Sequence, residues 1–193
     1  MPKIEVNEKL FFNLLETKYD YDTLEEKLTC AKAELDEKAD ESLPENERTI
    51  KIELNDTNRP DLWSTAGVAR QLRQKNGGKT ADYSKFLSTK GNFKDYGNRV
   101  VNVEPGLEEV RPYMTAFVIS GKPIDEPMLL DIIQTQEKLC WNYGRKRRSI
   151  SMGVYRSAQI ERPVKYHPVN PDKTSFVPLA CEEKMTCRQI LTD

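Results

Sequence analysis

Four consecutive basic residues, Arg145-Lys146-Arg147-Arg148, form the one strong charge cluster of the chain. From Asn142 to His167 there are 7 Lys+Arg against Glu161 alone, net +6. Such a cluster can contact RNA phosphates, and Trp141, Tyr143 and Tyr155 stand near enough in sequence to offer stacking faces to bases. Cations at a helix C-terminus also satisfy free carbonyls and oppose the macrodipole, for about 0.3–1 kcal/mol each. Four in a row exceed that need, yet the sequence leaves both roles open.

Other reactive chemistry is sparse. The single histidine, His167, lies between Tyr166 and Pro168 in a loop-like stretch, and any zinc, Ser-His or Cys-His chemistry would rest on it. Cys30, Cys140, Cys181 and Cys187 show no C-x-x-C spacing, so free thiols are expected. The string Asn76-Gly77-Gly78-Lys79-Thr80 lacks the first glycine of a phosphate loop and follows a helix, which argues against phosphate binding. No catalytic or metal-ligating residue is expected.

The elements that must position the basic corner are legible. Asp125 caps a predicted helix with Met128, Leu129, Ile132, Ile133, Leu139, Cys140 and Tyr143 on one stripe and Asp131, Gln134, Glu137 and Lys138 opposite, and Gly144 ends it. Ile150, Met152 and Val154 then alternate as a strand. Upstream, Arg99–Val103 reads as a short strand and the apolar run Tyr113–Ile119 as a strand buried on both faces.

The first third of the chain is organised around Thr49 to Arg73. Ile50, Ile52 and Leu54 alternate with polar residues, predicting a half-buried strand that stops at the turn formers Asn55 to Pro60. A helix is expected to follow at once, with Asn58 as cap, Pro60 in its first turn and Asp61 completing a capping box. Leu62, Ala66, Ala69 and Leu72 would share its buried face, Gly67 would admit another backbone, and Gly77-Gly78 would stop it. Arg59 needs no role beyond this turn. Before it, Lys3–Val6 reads as a strand, Asn7 as the cap of a helix burying Leu10, Phe11, Leu14 and Leu15, and Asp22 as the start of a second helix burying Leu24 and Leu28. Ala33 and Leu35 read as a strand, followed by a solvated acidic loop from Asp40 to Thr49.

These elements predict an α+β fold with two small domains: 1–80, a linker over 81–99 carrying Tyr83, Phe86, Phe93 and Tyr96 against the globule, and a second domain over 100–193. Charge divides unevenly: residues 1–69 hold 9 Lys+Arg against 17 Asp+Glu, and residues 70–193 hold 21 against 14. An anionic partner is thus expected at the later part. With 32% charged residues, no run of about 18 apolar residues and no secretory signal at Met1-Pro2-Lys3-Ile4-Glu5, the expected location is cytoplasmic.

The wording of two stretches resembles a known family. Asn55-Asp56-Thr57-Asn58-Arg59-Pro60-Asp61-Leu62-Trp63-Ser64, followed by Gly67-Val68-Ala69-Arg70-Gln71-Leu72, is similar to the opening domain of the phenylalanine–tRNA synthetase beta chain. The stretch Ile133 to Tyr155 and the later Ser175-Phe176-Val177-Pro178-Leu179 resemble the start of that chain's editing domain. The family often carries His-Asp where Tyr155-Arg156 stand, and an acidic or aliphatic residue at Ala66. Without room for an inserted barrel before the Asn58–Asp61 loop, the chain resembles the archaeal and eukaryotic-cytosolic branch.

The resemblance implies the N-terminal fragment of a beta subunit, its second domain truncated inside the domain that deacylates mischarged tyrosyl-tRNA. It implies an alpha-subunit partner in an alpha2-beta2 assembly, tRNA for phenylalanine as a ligand, and ATP and Mg²⁺ used outside this fragment, with neither membrane nor DNA as partner. Two other classes remain: a standalone RNA-binding or deacylating module of the same fold, and a structural protein without RNA contact, the latter suggested by the acidic first half.

Overall fold

A computed structural model of the chain describes residues 2–55, 58–80, 82 and 97–192. The linker aromatics Tyr83, Phe86, Phe93 and Tyr96 lie outside the described residues. The architecture is α+β, as expected. It divides into two compact units, Met1–Leu87 with Gly121–Val154, and Ser88–Ser120 with Tyr155–Asp193. The expected domains follow chain order, whereas in these units the 121–154 segment packs with the first.

In the first unit, β1 (Lys3–Asn7), β2 (Ala33–Glu37) and β3 (Thr49–Leu54) form an antiparallel sheet in the order β1-β3-β2. Alternation does what period two requires: Ile4, Val6, Ile50, Ile52 and Leu54 are buried on one face. Helices α1 (Glu8–Leu15), α2 (Tyr21–Leu28) and α3 (Thr65–Lys75) supply Phe11, Phe12, Leu15, Leu24, Leu28, Val68, Ala69 and Leu72 to the same core. Asn7 caps α1 as predicted, its Oδ1 accepting from Leu10 N at 2.9 Å. The buried face of α1 is rotated from the expected one, with Phe12 inside and Leu14 exposed, because the larger ring sits edge-on against Phe11.

Helix α2 starts earlier than expected. Asp20, not Asp22, accepts from the Thr23 amide at 2.8 Å, and the pair Asp22/Glu25 makes no capping box. Glu8 is buried and accepts from Tyr21 Oη at 2.7 Å; burial first, and the adjacent carboxylate second, push the Tyr21 hydroxyl up to about 12. The connection from β2 to β3 spans residues 38–48, too short for an inserted barrel.

The entry to α3 corrects the sequence expectation. Pro60–Leu62 form a single 3₁₀ turn, and the α-helix begins only at Thr65, capped by Ser64 Oγ, which accepts from Gly67 N at 3.0 Å. Asn58 is therefore no helix cap and Asp61 completes no capping box; Asn58 stands exposed in the preceding turn. With the helix phase reset by the 3₁₀ turn, Ala66 is exposed and the buried face is Thr65, Val68, Ala69 and Leu72. The helix stops where predicted: Gly77, at φ 82°, and Gly78 donate to Gln74 O and Arg73 O.

The second unit is built from short pieces. β4 (Val101–Val103) pairs in parallel with β5 (Val164–Tyr166), and β6 (Ser175–Phe176) pairs antiparallel with β7 (Met185–Thr186), which leads into α5 (Cys187–Thr192). The expected buried strand Tyr113–Ile119 is absent: Tyr113 is 92%, Phe117 81% and Ile119 82% exposed. A run of β-branched and aromatic residues becomes a buried strand only between two ladders and two covering layers, and the two-stranded sheets of this unit offer neither.

Candidate functional site

The basic corner sits at the end of α4 (Glu126–Lys138), the longest helix among the described residues. Asp125 caps it as predicted, accepting from Met128 N at 3.0 Å. Its mode of attachment differs from expectation. Within the helix Asp131 and Gln134 dock and the apolar Met128, Leu129 and Ile133 are each more than a third exposed, whereas the end of the same stripe turns inward, Leu139 packing against the core and Cys140 being buried.

The docking contacts explain why. Gln134 pairs its side-chain amide with both main-chain groups of Glu5, accepting from Glu5 N at 2.7 Å and donating to Glu5 O at 2.7 Å. Strand β1 is a sheet edge, so its outward N–H and C=O groups need partners, and an amide side chain supplies the donor and the acceptor that a further strand would. Asp131 Oδ1 accepts from Thr65 Oγ1 at 2.5 Å and from Thr65 N at 3.3 Å, which satisfies a fully buried hydroxyl and a first-turn amide of α3 together.

Beyond Lys138 the helix widens into a π turn, Leu139–Tyr143, and then reverses hand. Arg145, Lys146 and Arg147 all have positive φ, at 51°, 56° and 66°. Non-glycine residues resist this conformation by about 1–2 kcal/mol each, and three in succession amount to a left-handed turn. The return for that strain is visible in the hydrogen bonds. Gly144 N donates to Leu139 O at 2.7 Å, Lys146 N to Trp141 O at 2.8 Å and Arg147 N to Cys140 O at 2.8 Å. Main-chain amides thus satisfy the carbonyls at the helix end, a task the sequence allows to the basic side chains. Gly144 is needed for closure, since a Cβ there would lie 2.4 Å from both Cys140 O and Ile150 O.

Released from capping, the four side chains are exposed. Arg147 Nη2 pairs with Glu137 at 2.6 Å, and Lys146 Nζ lies 5.4 Å from the centre of the Trp141 ring. Trp141 and Tyr143 are themselves 56% exposed. The expected strand Ile150–Val154 does not form. Buried Cys140 holds this segment instead: its Sγ accepts from Met152 N at 3.2 Å, so a side chain replaces the ladder partner.

The second group of sequence-selected residues also comes together. Arg59 forks onto Asp61 through Nε at 2.9 Å and Nη2 at 2.8 Å, and Arg70 approaches the same carboxylate at 3.5 Å. The hydrogen bonds from Arg59 hold the Asp61 carboxyl below its ordinary value. Pro60 opens the 3₁₀ turn, and Gly67 permits that turn to touch α3, since a Cβ on Gly67 would sit 1.9 Å from Asp61 O. These residues shape a turn.

Sequence inspection missed Glu137, Asp131 and Gln134 as functional positions. Their partners lie 10, 66 and 129 residues away, and no periodicity signals such distances. Among the described residues, no group of three or more His, Cys, Asp or Glu could hold a metal ion, and no helix is long and apolar enough to cross a membrane.

Comparison with known proteins covers the whole chain. Residues 1–77 match the family model described as Phe-tRNA synthetase beta subunit B1 domain. The phenylalanine–tRNA ligase beta subunit of Treponema pallidum is 41% identical over an alignment covering 100% of this chain and 37% of that relative. That of Borreliella burgdorferi is 39% identical over 98% of this chain and 32% of the relative. The chain thus spans about a third of the length of the curated relatives it matches. Among solved structures, an N-terminal fragment of the phenylalanyl-tRNA synthetase beta subunit from Pyrococcus horikoshii superposes with a TM-score of 0.82 at 31% identity, covering 100% of this chain and 52% of that one.

Proposed function

The chain belongs to the phenylalanine–tRNA synthetase beta-subunit family, and from that premise we propose that it is the N-terminal part of a subunit that, with an alpha subunit, attaches phenylalanine to its tRNA. The observation that carries the proposal is a 41% identity running through all of the chain, across both of its units. In this proposal the alpha2-beta2 assembly works in the cytoplasm, and ATP and Mg²⁺ act at a synthetic site on the alpha subunit. Residues from about 100 onward form the first part of a domain that hydrolyses mischarged tyrosyl-tRNA.

Within this function, the chain's own contribution is electrostatic. The corner at Arg145–Arg148, left-handed over its first three residues, presents cations toward the tRNA backbone, where neutralising phosphates releases counterions and adds affinity without reading sequence. The test is to co-express the full-length protein with the alpha subunit and to measure ATP-dependent charging of a phenylalanine tRNA transcript. Charging by the pair and none by the 193-residue chain alone is expected. Deacylation or tRNA binding by the isolated chain, with no alpha subunit retained by the full-length protein, would favour the standalone module instead.

A further inference from the structure

The four basic residues do not stand in equivalent surroundings. Arg147 is paired with Glu137 at 2.6 Å, so that pair carries no net charge to an approaching phosphate. Lys146 lies over the Trp141 ring, its ammonium 5.4 Å from the centre. Arg145 and Arg148 are exposed, and no side-chain hydrogen bond or ion pair engages either among the described residues. Nor are they consumed as helix caps, because the main-chain amides of residues 144–147 already serve the last carbonyls of the helix.

The backbone points the same way. If the turn existed only to end the helix, glycine would fill its left-handed positions without strain, as Gly77 does after α3. Instead Arg145, Lys146 and Arg147 occupy three such positions in a row. Strain held by ordinary side chains is found where those side chains have work to do. A right-handed continuation would carry the four residues around the helix surface. The left-handed reversal instead folds Lys146 and Arg147 back onto Trp141 and Glu137.

We infer that Arg145 and Arg148 carry the phosphate contacts of this corner, while Arg147 and Lys146, tethered to Glu137 and Trp141, are positioning residues that fix the turn presenting them. This division of labour rests on the tRNA-binding reading above. It also predicts that equal reductions of charge within four residues have unequal effects, which a diffuse positive field would not produce.

The experiment compares two charge-matched double variants of the full-length protein in complex with its alpha subunit, R145Q/R148Q and K146Q/R147Q. Glutamine keeps a side chain at each position and the same left-handed cost at 145, 146 and 147, and thermal melts verify that folding is comparable. Binding of a phenylalanine tRNA transcript is measured over a range of salt. R145Q/R148Q is expected to lower the slope of log K against log salt by about 1.4–1.8, since each phosphate no longer neutralised takes roughly 0.7–0.9 from it, and K146Q/R147Q by less than half as much. Equal reductions in the two variants, or the larger reduction in K146Q/R147Q, overturn the assignment. If R145Q/R148Q leaves the slope unchanged but loosens the alpha subunit in sedimentation, the corner is a protein contact and the inference falls. If the wild-type complex binds tRNA with a strong salt slope that neither variant moves, only the inference fails. A wild-type complex without salt-dependent tRNA binding removes the reading beneath it as well.

Discussion

Helices α3 and α4 are both amphipathic in sequence and belong to the same unit, yet they are held by opposite faces. Helix α3 lays Val68, Ala69 and Leu72 into the core, in the ordinary manner of a helix on a sheet face. Helix α4 buries none of its side chains and attaches through Asp131 and Gln134. The difference comes from the receiving surface. The face of the sheet offers Ile and Leu side chains, whereas its edge at β1 offers main-chain N–H and C=O groups, and a helix meeting an edge is selected by hydrogen bonds. The two helices also end differently, α3 on glycines and α4 on three strained basic residues.

The largest effect should come at α3. In Gly67→Ala the new methyl would meet main-chain atoms of Asp61 that cannot swing aside. A loss of about 3 kcal/mol or more is expected, read as a lowered urea midpoint. A near-neutral result would show that the 3₁₀ turn is not locked to α3.

Next comes the junction between the helices. Asp131→Ala strips the buried Thr65 hydroxyl of its partner and should cost about 1–3 kcal/mol. Thr65→Val combined with Asp131→Leu, which removes both polar partners, should recover most of that loss. If the double variant is as unstable as the single, the contrast between polar and apolar docking is wrong.

Gln134→Ala should cost less, about 1 kcal/mol, and leave a local signature. The Glu5 amide should lose protection in hydrogen exchange while the inner-facing amides of β1 keep theirs. Unchanged protection at Glu5 would mean that α4 does not guard the sheet edge.

A smaller gain is expected at the other helix end. Arg145→Gly relieves one left-handed residue and should stabilise the chain by roughly 0.5–1 kcal/mol after the added unfolded-state entropy is counted. A loss of stability would show that the arginine side chain holds the turn. The smallest effect concerns acid. Because Arg59 holds the Asp61 carboxyl below 3.8, the folded state favours its ionised form. That contribution is complete above pH 3.8 and is lost as pH falls through the lowered value. Melting temperatures followed from about pH 6 to about pH 2 should fall more steeply in the wild type than in Asp61→Asn, and parallel curves would remove Asp61 from the acid response.

How much of this was legible depended on the range of the interactions. Alternation at Ile4/Val6 and Ile50/Ile52/Leu54, the caps Asn7 and Asp125, the close approach at Gly67 and the stop at Gly77 are all written within a few neighbouring residues, and the structure bears them out. The shift of the α3 cap from Asn58 to Ser64 was not, because several turn formers in one stretch can each cap a helix and packing chooses among them. The run Tyr113–Ile119 carried the composition of a buried strand without the partners that make one.

By itself the sequence determined the alternation of β1 and β3, the caps at Asn7 and Asp125, the concentration of charge at Arg145–Arg148 and the family wording around Asn58–Asp61. These depend on residue types and short spacings, which the chain carries whatever its fold. Tertiary structure alone decided that the polar face of α4 would dock, that Gln134 would complete the edge of β1, and that main-chain amides would cap the helix whose end the four cations occupy. Each of those outcomes turns on which hydrogen-bonding groups are left unsatisfied once distant segments meet, and only the folded chain brings residues 5 and 134, or 65 and 131, to within bonding distance.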